Sequence, residues 1–175
     1  MNLVLIGYRA TGKTTLARVL TERLPGWKWI DADVEIERRA GKTIAQIFAD
    51  SGEPAFRDIE SQVIRDLCGQ SHLVLAAGGG APLREENREA MRADGNNKIV
   101  WLKAPASVIY MRMTGDATTA SRRPNLTDKD PLAEIEHLLA VREPIYRELA
   151  DFEIETVGRD PDQLANEILC HLFPA

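Results

Sequence analysis

Short apolar runs alternate with longer stretches of helical period along most of this 175-residue chain. The apolar runs are Leu3–Ile6, Trp27–Asp31, His72–Ala77, Lys98–Ala104 and Asp151–Thr156. They are short and rich in β-branched, leucine or aromatic side chains, as strands buried on both faces of a parallel sheet are. Between them the spacing predicts helices over Lys13–Leu24, Val34–Ala40, Ile44–Ala49, Glu53–Cys68, Arg84–Ala93, Ala106–Met113, Pro131–Leu149 and Pro161–Leu172. Strands alternating with helices of this length imply crossover units and an α/β sandwich. Only Thr114–Asp130 lacks apolar periodicity; it holds Gly, Pro and several Thr. A loop of that length in a compact domain is a lid or a disordered insertion, and Arg122 and Arg123 within it favour a lid. No repeat or linker divides the chain, so one domain over residues 1–175 is expected.

Composition narrows the class. Hydrophobic residues at 44% and charged residues at 28% are ordinary for a globular protein, which argues against disorder. A formal net charge of -5 argues against nucleic acid or an anionic membrane as the main partner. Anionic ligands would need cations concentrated locally, so individual Arg and Lys positions carry the information. Cys68 and Cys170 have no ligand or redox spacing and read as buried free thiols. No apolar run approaches the ~18 residues of a membrane span. The first residues begin a strand pattern without a basic n-region, so a cytoplasmic enzyme is expected; a monomer acting on small molecules is the expected form.

The first strand runs into Gly7-x-x-x-x-Gly12-Lys13-Thr14, a Walker A motif in its strand–loop–helix frame. Backbone N–H groups of such a loop and of the following helix point at phosphate oxygens. Lys13 then reaches the outer phosphates and the Thr14 hydroxyl ligates Mg²⁺. Ala10, Thr11, Gly12, Lys13, Thr14 and Thr15 are therefore the expected ATP contacts, with Mg²⁺ as cofactor. A glycine-rich turn that happens to precede a lysine is the competing reading, which the frame disfavours. The motif does not name the acceptor.

Three further features bear on the acceptor. Asp31 and Asp33 close the second apolar run at the sheet edge where ligands bind. Residues two apart share a side of a strand, so both carboxylates can converge on one site. One would hold the magnesium shell and the other accept a hydrogen bond from an attacking hydroxyl. A helix N-cap at Asp33 is the alternative, and both can hold at once. Arg57 and Glu60 lie at the edge of the stripe Phe56, Ile59, Val63 and Leu67, and Arg142 interrupts the stripe Ile135, Leu138, Leu139 and Tyr146. Each arginine is either a structural ion pair or an anion clamp; guanidinium forks suit carboxylates. Gly78, Gly79 and Gly80 after the third strand let a ligand lie against backbone. The acceptor expected from these features is a compact hydroxylated carboxylate, bound with the help of the helical region at about 32–65.

Taken in order, Gly7–Thr14, Asp31 and Asp33 in IDAD, Arg57 and Glu60 in EPAFRDIE, LAAGGG at Gly78–Gly80, RRPNL, and Arg142 in VREPIY resemble the shikimate kinase family across essentially the whole chain. The resemblance implies a five-stranded parallel sheet of order 2-3-1-4-5 with helices on both sides and a mobile lid at about 114–130. It also implies transfer of the ATP γ-phosphate to the 3-hydroxyl of shikimate, on the route to chorismate. By position it makes Asp33 the contact and base for the shikimate hydroxyls and puts Asp31 near the Mg²⁺ water shell. Arg57, Arg142 and the Gly79 backbone become shikimate contacts steadied by Glu60. Arg123 becomes the lid arginine over the phosphates, and Arg159 a residue of the adenine loop. Ala10 departs from a commoner glycine, Arg122 stands beside Arg123, and Met113 replaces an arginine for which Arg112 is the neighbouring substitute. Rival readings are a gluconate or nucleoside monophosphate kinase of the same fold and a non-catalytic nucleotide-binding regulatory domain.

Overall fold

In the computed structural model, which describes residues 1–115 and 130–173, five strands form one sheet. They are β1 (Asn2–Ile6), β2 (Lys28–Asp31), β3 (Leu73–Ala76), β4 (Asn97–Lys103) and β5 (Phe152–Glu155). All neighbours are parallel and their order is β2-β3-β1-β4-β5, as the resemblance implies. The helices are α1 (Lys13–Arg23), α2 (Ala32–Ala40), α3 (Ile44–Cys68), α4 (Glu85–Arg92), α5 (Ala106–Gly115), α6 (Pro131–Leu149) and α7 (Pro161–Leu172). Helix α5 thus extends into the first two residues expected in the lid and Asp130, its last, caps α6, while positions 116–129 lie outside the described residues.

Strand alternation builds two cores. Val4, Ile6, Leu73, Leu75, Ile99 and Trp101 face α2, α3, α4 and the end of α6. Leu3, Leu5, Val74, Ala76, Val100 and Leu102 face α1 and α7. Truncating one such fully buried leucine to alanine costs about 2–5 kcal/mol. A third cluster, Tyr8, Ala104, Ile109, Ile135 and Leu139, lies where the chain leaves β1 and β4 and packs against α5 and α6.

The strand expectation needs correction at both edges of the sheet. Burial on both faces holds for β1 and β3, but β2 is an edge strand whose Lys28 and Trp29 are exposed, and in the other edge strand, β5, only Ile154 is fully buried and Glu155 is exposed. Cys170 is likewise exposed, and only Cys68 is a buried thiol. The two helices expected at 44–49 and 53–68 follow one another directly, with Gly52 at φ 77, ψ 176 as the break. Pro54 falls in the first turn after that break, where its missing N–H does no harm. Helix α6 runs through Pro144. No described helix is long and apolar enough to cross a membrane.

Candidate active site

Every strand of a parallel sheet delivers its C-terminal residue to the same edge, so the loops after β1 to β5 meet there. The first is the phosphate loop. Gly7 has φ 137, and a Cβ on it would lie 2.5 Å from the Leu102 carbonyl oxygen of β4, so only glycine fits. The Lys13 ammonium donates to the carbonyls of Tyr8 (2.7 Å) and Gly7 (2.8 Å), and the Thr11 hydroxyl to that of Tyr8 (2.8 Å). Gly12, at φ 93, caps α1 without a side chain. The N–H groups of the first turn, including that of Thr15, are therefore placed for an anion. Ala10 adopts φ 62, a left-handed conformation that its methyl group disfavours.

The second loop corrects the reading of the aspartates. The strand ends at Asp31, and Asp31 itself is the N-cap of α2, accepting the Asp33 N–H at 3.0 Å. Asp33 therefore stands in the first helical turn and shares no strand face with Asp31. The other Asp31 oxygen accepts the Thr14 hydroxyl at 2.7 Å. This pairing brings together the two residues expected around the metal. A hydroxyl beside a carboxylate is an oxygen donor set that fits Mg²⁺, which takes one or two protein oxygens and fills the rest with phosphate and water.

The third loop joins donor to acceptor. Gly78, Gly79 and Gly80 are all buried. A Cβ on Gly79 would come within 3.3 Å of Gly7 O and Arg9 N, in the phosphate loop. A Cβ on Gly80 would lie 2.7 and 2.8 Å from the terminal nitrogens of Arg57. Two adjacent glycines thus touch the phosphate cradle on one side and the expected clamp on the other. The Tyr146 hydroxyl fixes this loop by donating to Gly79 O at 2.5 Å. Burial pushes that hydroxyl up to about 12, against the opposing pull of the Arg142 cation.

Arg57 donates to Glu60 at 2.8 Å and, through two nitrogens, to Glu53 at 3.0 and 3.1 Å. Glu60 is fully buried beneath the guanidinium, not at the rim of the helix stripe as the periodicity suggested. Burial works against the Arg57 charge, but Glu60 and Glu53 outweigh it and raise its pKa above the ordinary arginine value. Arg142, half-buried on α6, lies over the Tyr8 ring at 5.2 Å.

Two more arginines frame the nucleotide side. Arg112 donates to Ala10 O at 3.3 Å and to Thr156 Oγ1 and O at 3.1 and 3.2 Å, tying the phosphate loop to the loop after β5. Arg159 stands in that loop with its guanidinium on Glu167 of α7. Arg122 and Arg123 lie outside the described residues. The sequence reading missed Tyr8, Arg9 and the Tyr146 tether. The one available signal was that Tyr146 follows Arg142 by four residues, and so shares its helix face.

Known proteins bear the same stamp. The family model for shikimate kinase matches residues 9–173. A shikimate kinase of Rhodopirellula baltica is 43% identical over 168 residues, covering 96% of this chain and 88% of the relative. One from Pseudomonas syringae pv. syringae is 43% identical over 173 residues, covering 98% of this chain and 95% of the relative. The solved structure of shikimate kinase from Acinetobacter baumannii in complex with shikimate superposes with a TM-score of 0.89 at 37% identity. That match covers 98% of this chain and 92% of the other. On this evidence, and on a sheet order and loop set that agree with it, the chain belongs to the shikimate kinase family.

Proposed function

We propose that this ATP-dependent shikimate kinase holds its donor and acceptor on either side of Gly79 and Gly80. The observation that carries this reading is the double contact of those glycines, with Gly7 and Arg9 of the phosphate loop and with Arg57 of α3. Such a seam sets an acceptor hydroxyl beside the terminal phosphate of a bound nucleotide. In phosphoryl transfer, positioning and charge stabilisation supply most of the acceleration.

In this scheme the α1 N-terminus, Thr15 and the Ala10–Thr11 backbone hold the ATP phosphates. Lys13 leaves its carbonyl partners to reach the outer oxygens. Thr14, with Asp31 behind it, would hold Mg²⁺; when bound, the ion neutralises charge on the β- and γ-phosphates. Arg57 and Arg142 grip the shikimate carboxylate, Glu60 fixes the angle of Arg57, and the Gly79 backbone lies against the ring. Asp33 accepts the hydrogen bond of the 3-hydroxyl and turns its oxygen toward phosphorus. Arg159 belongs to the nucleotide-base side, which Arg112 ties to the phosphate loop. Arg123 keeps the role the resemblance gives it, opposing charge on the transferring group. The same reading makes the protein a cytoplasmic monomer acting on two small molecules.

A coupled ADP-release assay with shikimate, gluconate and nucleoside monophosphates tests the acceptor. Release with shikimate alone is expected. Comparable turnover with either rival, or none with any acceptor, would overturn it.

A further inference from the structure

We propose that Arg9 is a third guanidinium of the acceptor site and binds the shikimate carboxylate together with Arg142; this rests on the reading of the crevice given above. Arg9 is the third residue of the phosphate loop, and its backbone nitrogen lies 3.3 Å from where a Cβ on Gly79 would be. It therefore stands on the side of the loop that meets the acceptor backbone. Its guanidinium carbon is 5.9 Å from the centroid of the Tyr8 ring, and that of Arg142 is 5.2 Å from the same centroid. One buried ring carries two cations.

Neither cation is neutralised by a carboxylate among the described residues, whereas Arg57 already has Glu53 and Glu60. The Nε of Arg9 is buried and has no hydrogen-bond partner. A buried charged donor without an acceptor is costly and rare in folded chains, and a bound anion would satisfy it. Two like charges around one ring also repel, and a bound anion offsets that repulsion as well as the missing hydrogen bond. Lys13, by contrast, already donates to the Gly7 and Tyr8 carbonyls. Because Arg9 lies in the loop beside Gly79, on its acceptor side, the ligand that fits the Arg9–Tyr8–Arg142 arrangement is the anion on the acceptor, more than the phosphate of the donor. The guanidinium fork is suited to a carboxylate, accepted by two oxygens in one plane.

The test uses the full chain with Arg9→Met and Arg9→Lys, checked by thermal melting. Calorimetry without nucleotide gives the shikimate Kd. ADP release gives kcat and both KM values, with shikimate and with its methyl ester as acceptors. Arg9→Met is expected to raise shikimate Kd and KM about 10- to 100-fold, the range for one hydrogen bond to a charged group. The KM for ATP and kcat should stay within about threefold, and the ester, which offers no carboxylate, should change little. Arg9→Lys should recover part of the loss. A shikimate KM within about twofold of wild type overturns the proposal. So does a fall in kcat at unchanged KM, which would assign Arg9 to the transferring phosphoryl group. Wild-type turnover in the same assay stands separately for the reading of the crevice, and its absence would overturn both.

Discussion

Replacing Gly80 by alanine should loosen the grip on shikimate while leaving the fold and the nucleotide site largely intact. Gly80 sits at φ -93, ψ -9, a conformation alanine adopts without strain. The backbone therefore accepts the change, and the less flexible unfolded chain favours the variant by about 0.4–1 kcal/mol. The difficulty is in space. The new methyl would lie 2.7 Å from Arg57 Nη1, 2.8 Å from Nη2 and 3.1 Å from Cζ. Ordinary contact requires a retreat of about 0.7 Å or more. The long Arg57 side chain can give way, but Nη1 is held 2.8 Å from Glu60, which has no exposure to solvent. Complete loss of a buried pair costs about 3–5 kcal/mol, so partial displacement offset by the backbone gain leaves a net loss of about 1–3 kcal/mol. For a chain of this size that lowers Tm by about 2–4 °C per kcal/mol. Misplacing a substrate-positioning group by about 1 Å can cost 10²-fold, so shikimate KM should rise about 10- to 100-fold with the KM for ATP nearly unchanged. Gly69→Ala is the control: φ is -77 and the nearest atom would be an ordinary 3.5 Å away, so Tm should not fall and KM should not rise. ADP-release kinetics and thermal melting of both variants suffice. A Gly80→Ala enzyme with wild-type shikimate KM would refute the claim that Arg57 is both shaped by Gly80 and bound to the acceptor.

Other expectations follow from the same geometry. Ala10→Gly relieves the left-handed strain at φ 62 and should stabilise the chain by about 1 kcal/mol, read as a higher Tm; a lower Tm would contradict the strain. Arg142→Ala should raise shikimate KM by at least about tenfold while ATP binding holds, and unchanged acceptor kinetics would remove Arg142 from the clamp. Burial pushes the Cys68 thiol up to about 12 from 9.0. The unfolded chain therefore releases this proton first, so the stability is whole below about pH 9 and falls as pH rises toward 12. Between pH 8 and 10 that one group should cost about 1 kcal/mol. Cys68→Ala should flatten that part of the stability profile, and an unaltered slope would contradict the burial argument.

The periodicity located all five strands and the main helices to within a few residues, because a parallel sheet with helices on both faces demands continuous apolar runs. Lateral order is less legible. Trp29 looks like a core residue in the sequence, and its exposure follows only from β2 being at the edge of the sheet. The aspartate reading failed on helical phase: the Asp31 carboxylate caps α2 and ends the strand, so an alternation rule carried to Asp33 crossed an element boundary. Glu60 was misplaced because a lone glutamate in an apolar stripe is assigned to its rim, whereas the Arg57 partner makes its burial affordable. Local motifs gave the phosphate loop, since eight consecutive residues build it. The Tyr146–Gly79 tether and the pairing of Arg9 with Arg142 around Tyr8 depend on residues far apart in sequence, and no local pattern announces them.

The most direct test is a crystal of the full chain grown with shikimate. The carboxylate should accept hydrogen bonds from Arg57 and Arg142 while the 3-hydroxyl points past Asp33 toward the phosphate loop. A shikimate molecule whose carboxylate lies away from both arginines, or whose 3-hydroxyl faces away from Lys13, would contradict the account.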